Sequence, residues 1–338
     1  MTHMPVVELD PRTGYDFLMS GCADCGEPED LLPEDRGWLE EGRAAVAHEV
    51  GETESARSCV GFVSEIGRML VSRPEVKTAR QVVAAVDELS DAQLLEYLVG
   101  ELLDNPDVSD SARKALDGDT EAYAELSDQL EHWKGHAIMP QTLAELAPGA
   151  RRTLHAWLPR FEQVETRVER MLARDVAGRH VNDMVANPLG FVEKATNGIR
   201  MIPEQRTRRI VLAPSYFGRP YNSVARVGDT TLVCYPIADS ALGAGGRAAP
   251  PVATLRLYRA LGDESRLRIL RLLAERDRYL TELATELDLS KPTVSHHLAR
   301  LRSAGLVTMT DQGNLTYYTL RRDRVEQAGP ELSAFLAR

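Results

Sequence analysis

The sequence predicts a mainly α chain, α+β overall, with a helical N-terminal domain that carries a small β element and a compact C-terminal module of helices and a hairpin. Three observations predict it. Apolar residues recur at helical spacing through most of residues 1–237. Short β-branched runs bounded by proline are confined to 208–237. An Ala/Gly/Pro-rich stretch, Ala238 to Pro251, then precedes a dense pattern of helix signals. The domains are therefore read as 1–237, a linker at 238–251, and 252–338. A chain of 338 residues is too long for one core, which agrees with this division.

In the first domain Cys59, Val63, Ile66 and Leu70 lie on one helical stripe that ends before Pro74, and Leu94, Leu95, Leu98 and Leu102 form another. A longer helix is predicted from Arg151 to about Gly178. Its apolar side is Leu154, Trp157, Leu158, Phe161, Val164, Val168, Met171 and Leu172, with a kink expected at Pro159. The runs RRIVLAP and TTLVCYPI read as strands, with Val224 to Val227 as a third before the Gly228-Asp229 turn.

The formal charge of −11 argues against nucleic acid until it is divided along the chain. Residues 252–338 hold 14 Lys and Arg against 11 Asp and Glu, a net of +3, which leaves −14 for residues 1–251. Attraction to phosphate depends on the field of one face, and the acidity belongs to the other domain. Four cysteines are too few for a disulfide framework and fit a reducing compartment. With no membrane-span pattern and no signal-peptide pattern, the expected address is the cytoplasm. Cys22 and Cys25 have the spacing of a zinc or redox pair, but no second pair of ligands at similar spacing accompanies them, so ordinary thiols are the competing reading.

Past the linker the signals come in a meaningful order. Leu257, Tyr258 and Leu261 mark one apolar helix face, and Asp263 caps a second helix carrying Leu267, Leu270 and Leu273. Thr281 is placed to cap a short helix from Glu282 to Leu287. After the turn Asp288-Leu289-Ser290, Ser290 caps the next helix, where Pro292 is tolerated in the first turn. Two helices joined by so short a turn make a helix-turn-helix. Val294, Leu298 and Leu301 share one face of the second helix, and the opposite face offers Thr293, Ser295, His296 and Arg300 to base edges and phosphates, with Lys291 beside them. Ser290 can serve both as cap and as contact. The adjacent His296 and His297 point about 100° apart and do not chelate readily. Residues 306–310 and 315–320 flank a Gly-containing turn as a hairpin, which completes a winged helix-turn-helix.

The stretch LYRALGDESRLRILRLL, then LTELATELDLSKPTVSHHLARLRSAGLV and a wing bearing two tyrosines, resembles the ArsR/SmtB-type winged-helix repressors from Leu255 to near Arg322. The resemblance implies that Lys291, Thr293, Ser295, His296 and Arg300 face an operator in double-stranded DNA. It implies a homodimer through Leu257, Tyr258, Leu261, Leu332, Phe335 and Leu336. It also brings departures. Glu282 to Leu287 lacks the Cys-x-Cys of metal sensors, the last helix lacks histidine, and the tip 311–314 lacks the wing arginine, which leaves Arg321 and Arg322 as phosphate contacts at the wing base. No metal and no cofactor are implied.

No GxGxxG after a strand, phosphate loop, GxSxG or HExxH is present, which weighs against an enzyme. The first domain is then a sensor of a small-molecule effector, an assembly module, or a CxxC-based metal or redox sensor. The aromatic cluster Tyr216, Phe217 and Tyr221 with Arg219 is the candidate ligand pocket, the arginine fixing an anionic group. Its alternative is a loop that packs its aromatics on the helical body.

Overall fold

The computed structural model describes residues 4–22, 25–50, 63–100, 103, 109–125, 140–202, 207–243, 252–312 and 315–337. The chain is mainly helical and divides into two compact units, each built from separate stretches. The first comprises Glu8–Ala177 and Arg209–Ile237. The second comprises Met1–Val7, Gly178–Arg208 and Ala238–Arg338. The expected division at 237 differs in one important stretch, because 178–208 packs with the C-terminal module. No helix among the described residues is long and apolar enough to cross a membrane.

The first unit is organised on one long helix, Pro140–Ala177, longer than the periodicity suggests because it continues through Pro148 as well as Pro159. We refer to its described helices in order as α1 (Thr13–Gly21), α2 (Pro33–Val50), α3 (Gly67–Ser72), α4 (Ala79–Asp87), α5 (Asp91–Leu98), α6 (Ser109–Leu116) and α7 (Pro140–Ala177). Leu154, Trp157, Phe161, Val168, Met171 and Leu172 of α7 are buried as its apolar stripe requires. Helices α1, α2, α4 and α5 pack on them. Gly42 lets α2 approach closely, since a Cβ there would stand 2.7 Å from the Trp157 ring. Cys59 and Leu102, drawn on two of the helical stripes, lie outside the described residues.

Against this body lies a mixed sheet of order β1-β3-β5-β4, from β1 (Val6–Leu9), β3 (Arg209–Ser215), β4 (Ser223–Val227) and β5 (Thr230–Pro236). Strands β3 and β5 are parallel neighbours, and β4 returns antiparallel to β5 around Gly228. The three predicted strands are present, and β1 is an addition that its mixed sequence VVEL does not announce. Cys22 and Cys25 are joined as a disulfide, so neither sulfur is an ordinary thiol. Cys234 is buried, and burial pushes its thiol up to about 12, which makes it inert.

The residues read as a ligand pocket are core. Tyr216, Phe217 and Arg219 are each 0 % exposed. Phe217 meets Trp38 at 5.5 Å, Phe161 at 6.1 Å and Tyr216 at 4.9 Å between ring centroids. Tyr216 Oη donates to Asp35, itself paired with Arg167, and accepts from the Leu32 amide at 2.8 Å. Arg219 donates to the carbonyls of Asp30 and Ile237, and the Tyr221 hydroxyl donates to Glu27 at 2.6 Å. The packed-loop alternative thus describes the cluster, because the donors that would hold an anion are spent on the backbone.

Asp16 is buried beside this loop and accepts from the Ser215 hydroxyl and, at 3.0 Å, from the Phe217 amide. Its Oδ2 has no hydrogen-bond partner. Burial raises its carboxyl to about 7, against the pull of those two donors. Between the unfolded value near 3.9 and 7, the folded state holds a proton that the unfolded chain has lost, so stability falls as pH rises through this window. Urea midpoints are expected to drop between pH 5 and pH 8, with a loss of unfolding free energy of about 3 kcal/mol over that range. Asp16→Asn, isosteric with the protonated acid, should remove most of that slope; an unchanged slope in the variant would show that other groups carry it.

Candidate nucleic-acid interface

The second unit continues the helix count with α8 (Val181–Ala186), α9 (Pro188–Ala195), α10 (Val252–Leu261), α11 (Glu264–Glu275), α12 (Leu280–Leu287), α13 (Lys291–Ser303), α14 (Arg322–Glu326) and α15 (Ala328–Leu336). Its strands are β2 (Ile199–Arg200), β6 (Arg278–Tyr279), β7 (Val307–Gln312) and β8 (Leu315–Leu320), in the order β2-β7-β8-β6. The β7-β8 hairpin is the expected wing, and Gly313 and Asn314 at its tip lie outside the described residues. The part of the linker stretch that is described forms a short turn, Asp239–Leu242, and Asp239 accepts from the Ala253 amide at 3.0 Å as α10 begins. Residues 244–251 lie outside the described residues.

The helix-turn-helix is α12 and α13. Asp263 caps α11 by accepting from the Arg266 amide at 2.9 Å, and that hydrogen bond holds its carboxyl below the usual range. Helix α12 starts at Leu280, so Thr281 sits inside it rather than capping it. The start is satisfied instead by Glu282, which accepts from the Tyr279 amide at 3.1 Å while paired with Arg276 at 2.9 Å. The turn closes with Asp288 in the left-handed region at φ 55°, and Leu289 plugs the corner against the core. Arg278, 5 % exposed, pairs with Glu275 and Glu286 and donates to the Leu272 carbonyl, which ties α11, β6 and α12 together. Sequence periodicity gives no sign of this buried arginine.

Helix α13 behaves as its pattern requires. Val294, Leu298 and Leu301 are buried in the unit's core, and Lys291, Thr293, Ser295 and His296 are exposed. Ser290 accepts from the Thr293 amide at 3.3 Å, and its hydroxyl is 2.7 Å from that of Thr293. Arg300 is half-buried. His297 is half-buried as well, and burial lowers its pKa, so the ring is neutral at pH 7. The row of exposed side chains on one face, held rigidly by the apolar face behind it, is the geometry with which a helix enters a major groove. At the wing base the two candidate cations are engaged within the chain. Arg321 pairs with Asp323 at 3.1 Å, and Arg322 donates to the Ala274 carbonyl.

The residues assigned to self-association separate into two groups. Leu257 is fully buried under α11 and α13 and is core, not surface, which corrects the sequence reading: the apolar stripe of α10 is covered by its own unit. Leu261 also packs against that core, half-buried. Tyr258 and Leu255 remain exposed on α10, and Leu336 is 73 % exposed on α15, with Leu332 and Phe335 half-buried beside it. The Tyr258 hydroxyl donates to the Ala328 carbonyl at 2.9 Å and fixes α10 to α15.

Two residues that sequence reasoning missed hold the other end of α13. Asn197 Nδ2 donates to the carbonyls of Arg302 and Ser303 at 3.4 and 3.2 Å, and the Gly198 carbonyl accepts from the Met309 amide at 3.0 Å. The Asn-Gly pair after α9 is a helix-stop signal, but nothing in it names a target more than 100 residues away. Among the described residues no group of three or more His, Cys, Asp and Glu is placed to hold a metal ion.

Comparison with known proteins agrees with this geometry. The family described as bacterial regulatory protein, arsR family, matches residues 263–309, which span α11, α12, α13 and the start of the wing. An uncharacterized HTH-type transcriptional regulator of Methanocaldococcus jannaschii is 39 % identical over 72 residues, covering 21 % of this chain and 81 % of that protein. The HTH-type transcriptional regulator CmtR of Mycobacterium bovis is 41 % identical over 80 residues, 24 % of this chain and 68 % of that one. The arsenical resistance operon repressor of Escherichia coli is 42 % identical over 67 residues, 20 % of this chain and 57 % of the repressor. These matches leave most of the first unit unassigned. Through its second unit the chain belongs to the arsR family of bacterial regulatory proteins, and it is a DNA-binding transcriptional regulator.

Proposed function

We propose that this regulator is a repressor that reads an inverted-repeat operator as a homodimer and that a non-metal effector acting on the first unit controls its occupancy. The observation that carries the DNA reading is the exposed row Lys291, Thr293, Ser295 and His296 on a helix anchored by Val294, Leu298 and Leu301. Half-sites about one helical turn, roughly 34 Å, apart require two such helices, and the apolar Leu255, Tyr258 and Leu336 on adjoining helices supply a surface for pairing. The cytoplasm is its place of action. An input is expected because the DNA-reading elements occupy a minority of the chain. In the first unit a cleft of about 430 Å³ between α1, α4 and α7 is lined by Arg12, Lys77, Thr78, Glu165 and Glu169, and it replaces the 216–221 loop as the place to look for a polar effector.

A second reading has its own observation, the Cys22–Cys25 disulfide. The segment beside it is clamped to the aromatic loop. The Glu27 amide donates to the Arg219 carbonyl at 2.7 Å, and a Cβ on Gly26 would lie 2.0 Å from the Phe217 carbonyl oxygen. Two-electron reduction by a dithiol, which itself becomes the disulfide, would release one end of that segment. The input is then redox state rather than a ligand.

Duplexes enriched by the full-length protein from a random pool should show inverted symmetry. Lys291→Glu and Arg300→Glu should weaken binding to every sequence and flatten the salt dependence by about one unit of slope each. Thr293 and Ser295 substitutions should instead change which sequence is preferred; full affinity in a variant altered at all four positions removes the assignment. Arsenite, zinc and cadmium should leave operator affinity within about twofold, because Glu282 to Leu287 has no thiolate and residues 323–338 no histidine. A stoichiometric metal site whose filling releases DNA would overturn that. For the redox reading, oxidised and dithiol-reduced protein should differ in operator affinity, and a Cys22→Ser/Cys25→Ser protein should no longer respond; equal affinities return the input to a ligand.

A further inference from the structure

Helix α9 ends in a manner that commits the chain to the reading elements. Thr196 is fully buried, and its hydroxyl donates to the Val192 carbonyl at 2.8 Å and accepts from the Ile199 amide at 3.0 Å. Asn197 and Gly198 both have positive φ, 55° and 120°, and the Gly198 amide returns to the Glu193 carbonyl at 2.9 Å. This reversal delivers β2 to the outer edge of the wing, parallel to β7, with Ile199 opposite Met309 and Arg200 opposite Thr310. Gly198 is needed for the approach, since a Cβ there would lie 3.1 Å from Thr308 Cγ2 and 3.4 Å from Thr308 Cα.

The same turn closes α13. A helix leaves its last carbonyls without partners, and those of the reading helix are assigned one by one. The Arg302 carbonyl accepts from the Gly305 amide at 2.8 Å, and the Ala304 carbonyl accepts from Arg324 Nε at 3.4 Å. The Asn197 amide reaches those of Arg302 and Ser303. Its Oδ1 also stands where a Cβ on Gly305 would come within 3.0 Å, so the turn after α13 is shaped around it. One residue and its neighbour therefore hold both DNA-facing elements: Asn197 the end of the recognition helix, Gly198 the first strand of the wing. None of residues 188–200 lies in the span matched by the family, 263–309.

We propose that Asn197 and Gly198 are positioning residues for DNA reading: they lock the end of the recognition helix to the wing, so the reading head of this protein includes α9 and β2 and not residues 252–338 alone. The proposal rests on the DNA reading above but makes a claim of its own about the rigidity of α13 and β7. If the clamp sets the angle of α13 against the wing, its loss should cost base contacts, which need the helix aimed, more than phosphate contacts, which tolerate small displacements.

The test uses the full-length chain with Asn197→Asp and Asn197→Gly. Both residues accept the left-handed backbone, and neither offers the two amide donors. Hydrogen exchange should rise in the variants at the amides of Gly305, Leu306 and Met309, and not in the first unit. Affinity for the duplex enriched by the wild-type protein should fall about tenfold, with affinity for a random duplex of equal length within about twofold. Wild-type exchange and wild-type selectivity in both variants would overturn the proposal, as would an equal loss on both duplexes. If Asn197→Asp melts without a cooperative transition, Asn197→Gly decides alone. If the wild-type protein enriches no duplex, the DNA reading fails while the exchange measurement still decides the clamp.

Discussion

Carbonyl oxygens left over at buried helix ends and turns must find a donor, and in this protein side chains from distant sequence supply it. Arg12 donates to the carbonyls of Leu70, Arg73 and Val76, where α3 ends and the chain turns toward α4. Arg219 does the same for Asp30 and Ile237, and Arg43 for Ser20 and Cys22 at the end of α1. In the second unit Asn197 takes this part for α13. Each bond is worth only about 1 kcal/mol net, somewhat more from a charged donor, but removing a donor leaves a carbonyl dry at a cost of about 1–3 kcal/mol. That asymmetry is why such contacts fix geometry more firmly than their net strength suggests.

Applied to the reading head, the same constraint explains why the recognition helix is anchored by hydrogen bonds at both ends. Its start is settled locally, by Ser290 and the left-handed Asp288. Its end is settled at long range, and so is the helix that precedes it, through buried Arg278 between Glu275 and Glu286. A surface pair such as Arg271 with Glu275, both largely exposed, contributes little by comparison. Apart from Thr293, whose hydroxyl meets that of the Ser290 cap, the exposed face is free to be small and polar because the core lies on the opposite side.

What was legible in the sequence follows the range of the physics involved. Caps, turns and apolar stripes are local, and Asp263, Ser290, Leu289 and the Val294/Leu298/Leu301 face read correctly, as do the three strands after residue 208. Periodicity reveals that a face is apolar but not what covers it. The family resemblance likewise placed Leu257 in an intermolecular contact, and the density of aromatics left Tyr216, Phe217 and Arg219 open between a pocket and a packed loop. An arginine among aromatics suits an anion site and a buried carbonyl clamp equally well, and only the partners, Asp30 and Ile237, separate the two. Thr281 failed as a cap because Glu282, reaching back to the Tyr279 amide, starts the helix two residues earlier. The Asn-Gly at 197–198 was missed altogether, because its partners at Arg302 and Ser303 lie more than 100 residues away.

The route of the chain bears on how the proposed input reaches DNA. A linker of Ala, Gly and Pro would decouple two domains joined by it alone, since a flexible tether transmits no orientation. Here the chain passes between the units at Val7 and Glu8, at Ala177 and Gly178, at Arg208 and Arg209, and at Ile237 and Ala238. The stretch between the second and third crossings is the one that carries Asn197 and Gly198. An effector or redox change can shift operator affinity only by as much as it distinguishes two states of the protein, so the element to examine is one whose states differ for the first unit and for the recognition helix alike. Residues 178–208 are the stretch to examine on that ground, since they are covalently continuous with α7 at one end and β3 at the other and carry the hydrogen bonds to α13 between them. On the proposed reading, regulation acts by loosening or tightening the hold of this stretch on α13 and β7, and does not depend on 238–251.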